Sequence, residues 1–595
     1  MSIVTATAFF LVIVTGNLDL TDGKRYAVYN PNCHMLDPDP FDLSILRFVK
    51  KANYTSCAQK PPLTSVSQVS RSHVLHLHRK NFHHYSPDGS PIRCMLEGVL
   101  PLYHDQTFIE DVEFVRVRCF LDRYDQKQIY TNLHAFIGFK EKVGRKISQN
   151  LENPSEFRKM GVMFVGFDSM SRSSIRRNMP KTVQLLERTG WYVLKGYNKI
   201  EDNTFPNLMA ILSGNNVQQL KQTCWYDQYV HFDSCPFIWK EFSKKGYITA
   251  YAEDKSLMGT FNCVKAGFYD SPTDYYLRPF MKAAETFIDV DNGKCLGLAK
   301  PAHHIFNYSI DFAECFFNQP TFSLFWINSF SHNDANEPST MDEDVVDYFK
   351  RLEKSGILKT TMVIFLSDHG LRVGPIRETY VGRIEDRLPF IYIWLPEWYK
   401  AANPEKAKNL ANNSNKLTSP YDIHMTLVDI LGDKTTAEGC PSCQSLFKPV
   451  PWNRSCSEAG ITEHWCACNE YEELQVAYVS PWMSQLAQTV VDRINDIVHS
   501  HSGCSQLELS KILSVRHRTF GASTDKSYTV AILTSPGDGK FEATAIKTVD
   551  WTRGTKKWKI LDTISRINIY GFKNFCTNDY LVREYCICTP ELNKE

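Results

Sequence analysis

The sequence lacks a charge excess of either sign: 67 Lys and Arg face 66 Asp and Glu across 595 residues, a formal net charge of +1. So even a balance excludes broad electrostatic capture of nucleic acid or of an anionic membrane. Long apolar runs are missing too. Beyond the N-terminus, no stretch approaches the roughly 18 apolar residues that a membrane-crossing helix needs. The polar end Glu591-Leu592-Asn593-Lys594-Glu595 carries no lipid-anchor signal. Internal repeats and low-complexity segments are absent. Residues 3–15 do form a short apolar stretch ahead of Gly16-Asn17, but no basic residues precede it. Its length suits the core of a signal peptide spanning residues 1–17, with a buried N-terminal strand as the alternative.

Cysteine is plentiful, with 18 residues spread from Cys33 to Cys588. That number suggests an oxidising compartment, hence a secreted protein or one in the lumen of the secretory pathway. Cys440-Pro441-Ser442-Cys443, Cys466-Ala467-Cys468 and Cys586-Ile587-Cys588 could be fragments of zinc knuckles. A structural zinc site needs four suitably spaced ligands, and the first pair has no second Cys-x2-Cys to complete it, so disulfides are expected. Asn53, Asn307, Asn412 and Asn453 each open an Asn-x-Ser/Thr triplet and are expected on glycosylated surface loops.

A hydrophobic content of 43% with 22% charged residues is ordinary for a globular chain, and the length calls for about three domains. Residues 18–155 read as a β-rich N-terminal domain. In it Val115-Arg116-Val117-Arg118-Cys119 alternates like a half-buried strand, and Cys33, Cys57, Cys94 and Cys119 could pair among themselves. His73, His76, His78, His83 and His84 match no ligand spacing and read as a solvated loop. Residues 156–450 alternate apolar strands with helices, the pattern of a mainly parallel sheet in an α/β domain. The strands are expected at 161–167, 247–252, 320–328, 361–367 and 389–395, with helices at 180–189, 342–354 and 422–431. Residues 451–595 read as a cysteine-rich and β-rich C-terminal region with a strand, turn and strand around Ser535-Pro536-Gly537-Asp538-Gly539.

Two strings stand out in the middle region. Val162-Met163-Phe164-Val165-Gly166-Phe167-Asp168-Ser169 and Met362-Val363-Ile364-Phe365-Leu366-Ser367-Asp368-His369-Gly370 are unbroken apolar runs that end in acidic or imidazole groups. Apolar residues on both faces fit a strand inside a parallel sheet, and its carboxyl end is where open α/β sheets hold ligands. Carboxylate oxygen and imidazole nitrogen suit zinc or manganese. In a third string, Glu201-Asp202-Asn203-Thr204-Phe205-Pro206-Asn207, the proline sits where a helix could begin and Thr204 would lie just ahead of its N-terminus, where N–H groups and the dipole favour an anion. From this segment alone Thr204 reads as a cap or turn residue.

These three strings, in this order, resemble the alkaline phosphatase and sulfatase superfamily over residues 160–435. Gly166-Phe167-Asp168-Ser169-Met170-Ser171-Arg172, Asn203-Thr204-Phe205-Pro206-Asn207, Glu253-Asp254-Lys255 and the cluster from Cys456 to Cys468 are similar to an animal family catalogued as a domain of unknown function, number 229. The resemblance implies an alkaline-phosphatase-like core and one principal metal, zinc or manganese, bound by Asp168, Thr204, Asp368 and His369, with Thr204 as nucleophile. It leaves room for a second ion. His332, Arg172, Lys255 and Asn207 are the expected substrate-binding residues, His332 alternatively a ligand of that second ion. Arg383, Glu385 and Arg387 are expected to form a structural ion-pair network. Sulfatases carry a Cys or Ser within Cys/Ser-x-Pro-Ser-Arg; here Thr204-Phe205-Pro206-Asn207-Leu208 offers neither the oxidisable residue nor the arginine. Ser169 also replaces their second Asp. The implied activity is therefore a metal-dependent phosphoester hydrolase or phosphotransferase acting on an anionic phosphodiester. The alternatives are a secreted binding protein on the same fold and a sulfatase-like hydrolase without formylglycine.

Overall fold

A computed structural model describes residues 24–589 apart from 70–71, 98–99, 111, 123–126, 153–157, 291–292, 477–478, 522–525, 551–554 and 571–575. The apolar N-terminal segment lies outside the described residues. The fold is mixed α/β around a seven-stranded, mostly parallel sheet. Its strand order is Tyr192–Val193, Ile391–Trp394, Thr361–Leu366, Gly161–Phe167, Thr321–Ile327, Ile248–Glu253, Tyr275–Tyr276. Gly161–Phe167 lies at the centre and runs parallel to both neighbours. Ile391–Trp394 runs against the strands on either side of it.

The central strands are buried at every position, as unbroken apolar runs require when helices cover both faces. One face packs on helices Pro180–Arg188, Arg278–Phe287, Pro301–Cys315 and Asp342–Lys354. The other packs on Thr204–Ser213, Ile238–Lys244 and Pro420–Leu431, the last ending at Gly432 with φ 71°. His424 is buried in that helix and its Nδ1 lies 2.9 Å from the Ile211 carbonyl, a packing role rather than a ligand role.

Before this core lie a three-stranded and a four-stranded antiparallel sheet, the latter holding Phe114–Leu121 with strictly alternating burial. The histidine-rich patch is not a loop. His76 and His78 lie on or beside the strand Ser72–Leu77 and contact the hydroxyls of Ser67 and Ser65 on the facing strand, each at 2.7 Å. After the core comes a five-stranded antiparallel sheet from Glu470 to Arg566, with the hairpin of Ser527–Ser535 and Gly539–Asp550 at its centre. The 18-residue helix Pro481–Val498 packs on this sheet, so the C-terminal region is not β alone.

Disulfides cross-link the layers. Of the first four cysteines only Cys94 and Cys119 bond to each other; Cys33 reaches Cys468 and Cys57 reaches Cys295. Cys224–Cys235, Cys440–Cys443, Cys456–Cys466, Cys504–Cys586 and Cys576–Cys588 complete the set among the described residues. Asn53, Asn307, Asn412 and Asn453 are all exposed. Among the described residues no helix is long and apolar enough to cross a membrane.

Candidate active site

Register sets the site. Gly166 pairs with Leu366 on the adjacent parallel strand, so Asp168 and Asp368 emerge side by side beyond the two carboxyl ends. Asp168, Asp368 and His369 are buried, at 2%, 0% and 1% exposure. Their ligand atoms all lie within 4.8 Å of one another.

The backbone around them is held tightly. Ser169 takes a left-handed φ of 62°, turning the chain sharply after Asp168. Such a conformation costs a non-glycine residue about 1–3 kcal/mol and persists where surrounding bonds enforce it. Here the Ser169 N–H donates to Asp368 Oδ1 at 3.2 Å and its hydroxyl to Asp168 Oδ1 at 2.9 Å. Ser367 Oγ accepts from the Met170 N–H at 2.9 Å and donates to the His369 carbonyl at 3.0 Å. Gly370 has no room for a side chain, because a Cβ there would sit 2.2 Å from the Glu385 carbonyl oxygen.

His369 Nδ1 lies 2.7 Å from the Gly370 carbonyl. A carbonyl only accepts, so Nδ1 carries the proton and Nε2 presents a lone pair. That Nε2 lies 3.1 Å from Asp368 Oδ2 and 3.6 Å from Asp168 Oδ1. Asp368 Oδ2 is buried with no hydrogen-bond donor. Three acceptor atoms thus converge without a donor among them, which is costly unless a cation joins them. Burial pushes the Asp168 carboxyl up to about 7, and the adjacent Asp368 adds to the rise. Two carboxylates and an imidazole are the donor set of a divalent metal site, so the residues fit such an ion.

Thr204 is the first residue of helix Thr204–Ser213, not its N-cap. The N-cap is Asn203, which makes no side-chain capping bond. Thr204 Oγ1 stands 3.5 Å from His369 Nε2. Asp168, Thr204, Asp368 and His369, drawn from three distant stretches, therefore meet at one point. His332 stands at the rim in the loop after Thr321–Ile327, its Nδ1 2.7 Å from Asn333 Oδ1. Burial lowers its pKa; Arg372 lowers it further and Asp368 opposes. The start of that loop is pinned by Asp254, whose carboxylate accepts from the N–H groups of Asn328 at 2.7 Å and Ser329 at 3.1 Å.

Three expected substrate contacts are engaged elsewhere. Arg172 is buried and pairs with Asp37 at 2.9 Å. Lys255 Nζ donates to the Gly293 carbonyl at 3.1 Å. Asn207 is fully buried; its Oδ1 accepts from the Ile200 N–H at 2.8 Å and its amide donates to the Glu201 and Asn203 carbonyls at 2.9 Å each. It braces the loop that delivers Thr204. In each case a partner remote from the reacting centre, or backbone nearby, claims the polar group.

One residue beside the site was missed. Arg372, three positions after His369, bonds Asp202 Oδ2 at 2.7 Å and donates to the Tyr570 hydroxyl at 2.9 Å. Its charge lowers the pKa of both Asp168 and His332. Proximity to Asp-His-Gly was its sole signal.

The model of a family described as "Protein of unknown function (DUF229)" matches residues 50–513. The chain belongs to that family. Solved structures similar to this DUF229 member include the lipoteichoic acid synthase LtaP from Listeria monocytogenes, at 14% identity and TM-score 0.34 over 54% of this chain and 79% of that one. A protein in the alkaline phosphatase superfamily from Vibrio parahaemolyticus is similar at 12% identity and TM-score 0.35, over 69% and 83%. The phosphonate monoester hydrolase SpPMH from Silicibacter pomeroyi follows at 10% identity and TM-score 0.36, over 65% and 88%. No curated protein matches the chain.

Proposed function

We propose that this protein is a metal-dependent phosphoester hydrolase or phosphotransferase of the secretory pathway or extracellular space, with Thr204 as nucleophile. One observation carries the reading: three buried groups converge on one point, Asp368 Oδ2 among them with no donor, and face a hydroxyl at the start of a helix. Asp168, Asp368, His369 and the Thr204 hydroxyl would hold one zinc or manganese ion, which when bound supplies Lewis acidity toward the hydroxyl and the phosphoryl oxygens.

The chain's own groups have separate tasks. Thr204 Oγ1 forms a bond to phosphorus as the bond to the leaving oxygen breaks, and the threonine proton ends on the leaving alcohol. The N-terminus of Thr204–Ser213, left open by Asn203, faces the nonbridging oxygens and offsets their charge. His332 at the rim would donate from Nε2 to the substrate anion when its imidazole is protonated, since Nδ1 is held by Asn333 Oδ1, and Arg372 adds positive potential. Water or an acceptor hydroxyl then displaces the threonine oxygen, restoring Thr204. The preferred substrate is a phosphodiester of lipid-headgroup or glycan type. Sulfatase chemistry through formylglycine has no residue to start from, because position 204 is threonine.

The test compares wild type with Thr204→Ala on bis-nitrophenyl phosphate in the presence of zinc or manganese. We expect turnover to fall by at least ~10³-fold, as for removal of a covalent nucleophile. Equal turnover in both proteins would remove Thr204 from the mechanism.

A further inference from the structure

The three residues ahead of Thr204 are each tied to the C-terminal region. Glu201 Oε1 accepts from the Thr563 hydroxyl at 3.1 Å. Asp202 Oδ2 is bonded by Arg372 at 2.7 Å, and the other arm of that guanidinium donates to Tyr570 at 2.9 Å. Asn203 Oδ1 accepts from the Tyr580 hydroxyl at 3.0 Å. Thr563 lies on the last strand of the C-terminal sheet, Thr555–Arg566. Tyr580 lies between Cys576 and Cys588, which are bonded to each other, while Cys586 is bonded to Cys504. Its backbone N–H donates to Gln228 Oε1 at 2.7 Å, and its ring meets that of Phe205, the second residue of the helix, at 6.0 Å.

The Tyr580 contact has a specific effect on helix chemistry. An N-cap asparagine normally turns its side-chain oxygen onto the first N–H groups of the helix and satisfies them. Here that oxygen faces outward to Tyr580, and Asn203 does not cap. The helix start therefore stays open toward the point where Thr204 meets His369. Asn207 braces the same loop from within.

We propose that Thr563 and Tyr580 are positioning residues: the disulfide-held C-terminal region clamps residues 201–203, aims Thr204 and keeps the helix N-terminus available to an anion. The kinetic part of this proposal rests on the function proposed above; the structural part does not.

The experiment uses the full-length protein with Tyr580→Phe and, separately, Thr563→Val. Amide hydrogen exchange at residues 201–205 is read first. Both variants should speed it by at least ~10-fold while exchange in Gly161–Phe167 stays unchanged. Steady-state kinetics on bis-nitrophenyl phosphate come second. Tyr580→Phe should lower kcat by about 10-fold or more with KM within about 2-fold, the signature of a misaimed group rather than lost binding. Wild-type exchange in both variants overturns the clamp, and so does a wild-type kcat in Tyr580→Phe. A wild-type enzyme without turnover brings down the proposed function alone; the exchange measurement still decides the clamp.

Discussion

Glu542 in the C-terminal sheet and Asp368 at the candidate site are both almost fully buried carboxylates, at 3% and 0% side-chain exposure. Glu542 sits among three guanidiniums, with Arg377, Arg383 and Arg387 at 3.0, 3.3 and 3.4 Å. Nearby Asp386 meets Lys199 at 2.7 Å and Arg377 and Arg387 at 3.3 Å. Asp368 instead faces Asp168 and the bare nitrogen of His369, with one oxygen unpartnered. Charge burial is thus matched by cations from the chain at the junction of the two sheets, and left unmatched at the strand ends. The first arrangement joins the C-terminal sheet to the core. On the function proposed above, the second would draw its cation from outside. Expected and observed roles agree for Arg383 and Arg387, whereas Glu385 serves a separate buried pair with Arg177 at 3.0 Å.

This contrast can be broken by exchanging a carboxylate for its amide in each cluster. Asp368→Asn should abolish metal binding by calorimetric titration and cut turnover by at least ~10³-fold. The melting temperature of the metal-free protein should stay level or rise, because a like charge beside Asp168 is gone; a clear fall would erase the distinction. Glu542→Gln should do the reverse and lose about 3–5 kcal/mol in urea unfolding, since three guanidiniums are left without their counter-charge.

The pH dependence sharpens the second case. Burial would raise the Glu542 pKa, but Arg377, Arg383 and Arg387 outweigh it and hold the group well below its ordinary 4.5. A folded-state value below the unfolded one means that the stabilisation is present above pH 4.5 and is lost as pH falls through the depressed value. The stability of wild type should therefore drop on acidification below that point, and the Glu542→Gln curve should be flatter there.

Smaller effects lie further from both clusters. Opening Cys94–Cys119 as a double serine variant removes a link across 25 residues, and loop-closure entropy puts the loss at about 3.5 kcal/mol in denaturant melts. The exposed pair of Lys244 and Glu241, 2.7 Å apart, is the control. Lys244→Ala should change stability by less than about 0.5 kcal/mol, since solvent screens what burial does not protect.

Much of this was legible in the chain. The strand Gly161–Phe167 matches the apolar run read from the sequence, and Pro180–Arg188 and Asp342–Lys354 follow their amphipathic patterns. Such elements are set by local periodicity against a core. Asp168, Asp368 and His369 stood out because polar groups that end a two-sided apolar run must surface at the sheet's rim. Asn207 and Arg172 were misread for a physical reason. An amide or guanidinium has the same formula whether its partner is a substrate, a backbone group seven residues away or less, or Asp37 far back along the chain.

By itself the sequence determined the α/β core, the carboxyl-end location of the acidic groups and the threonine that rules out formylglycine chemistry, because composition and hydrophobic period act over a few residues. Tertiary structure alone decided which cysteines bond, which arginine stands near the carboxylates and which distant tyrosine turns Asn203 away from its helix. Many of those outcomes, Cys33–Cys468 and Tyr580 against Asn203 among them, join segments hundreds of residues apart, and no local pattern encodes a partner that only folding brings within reach.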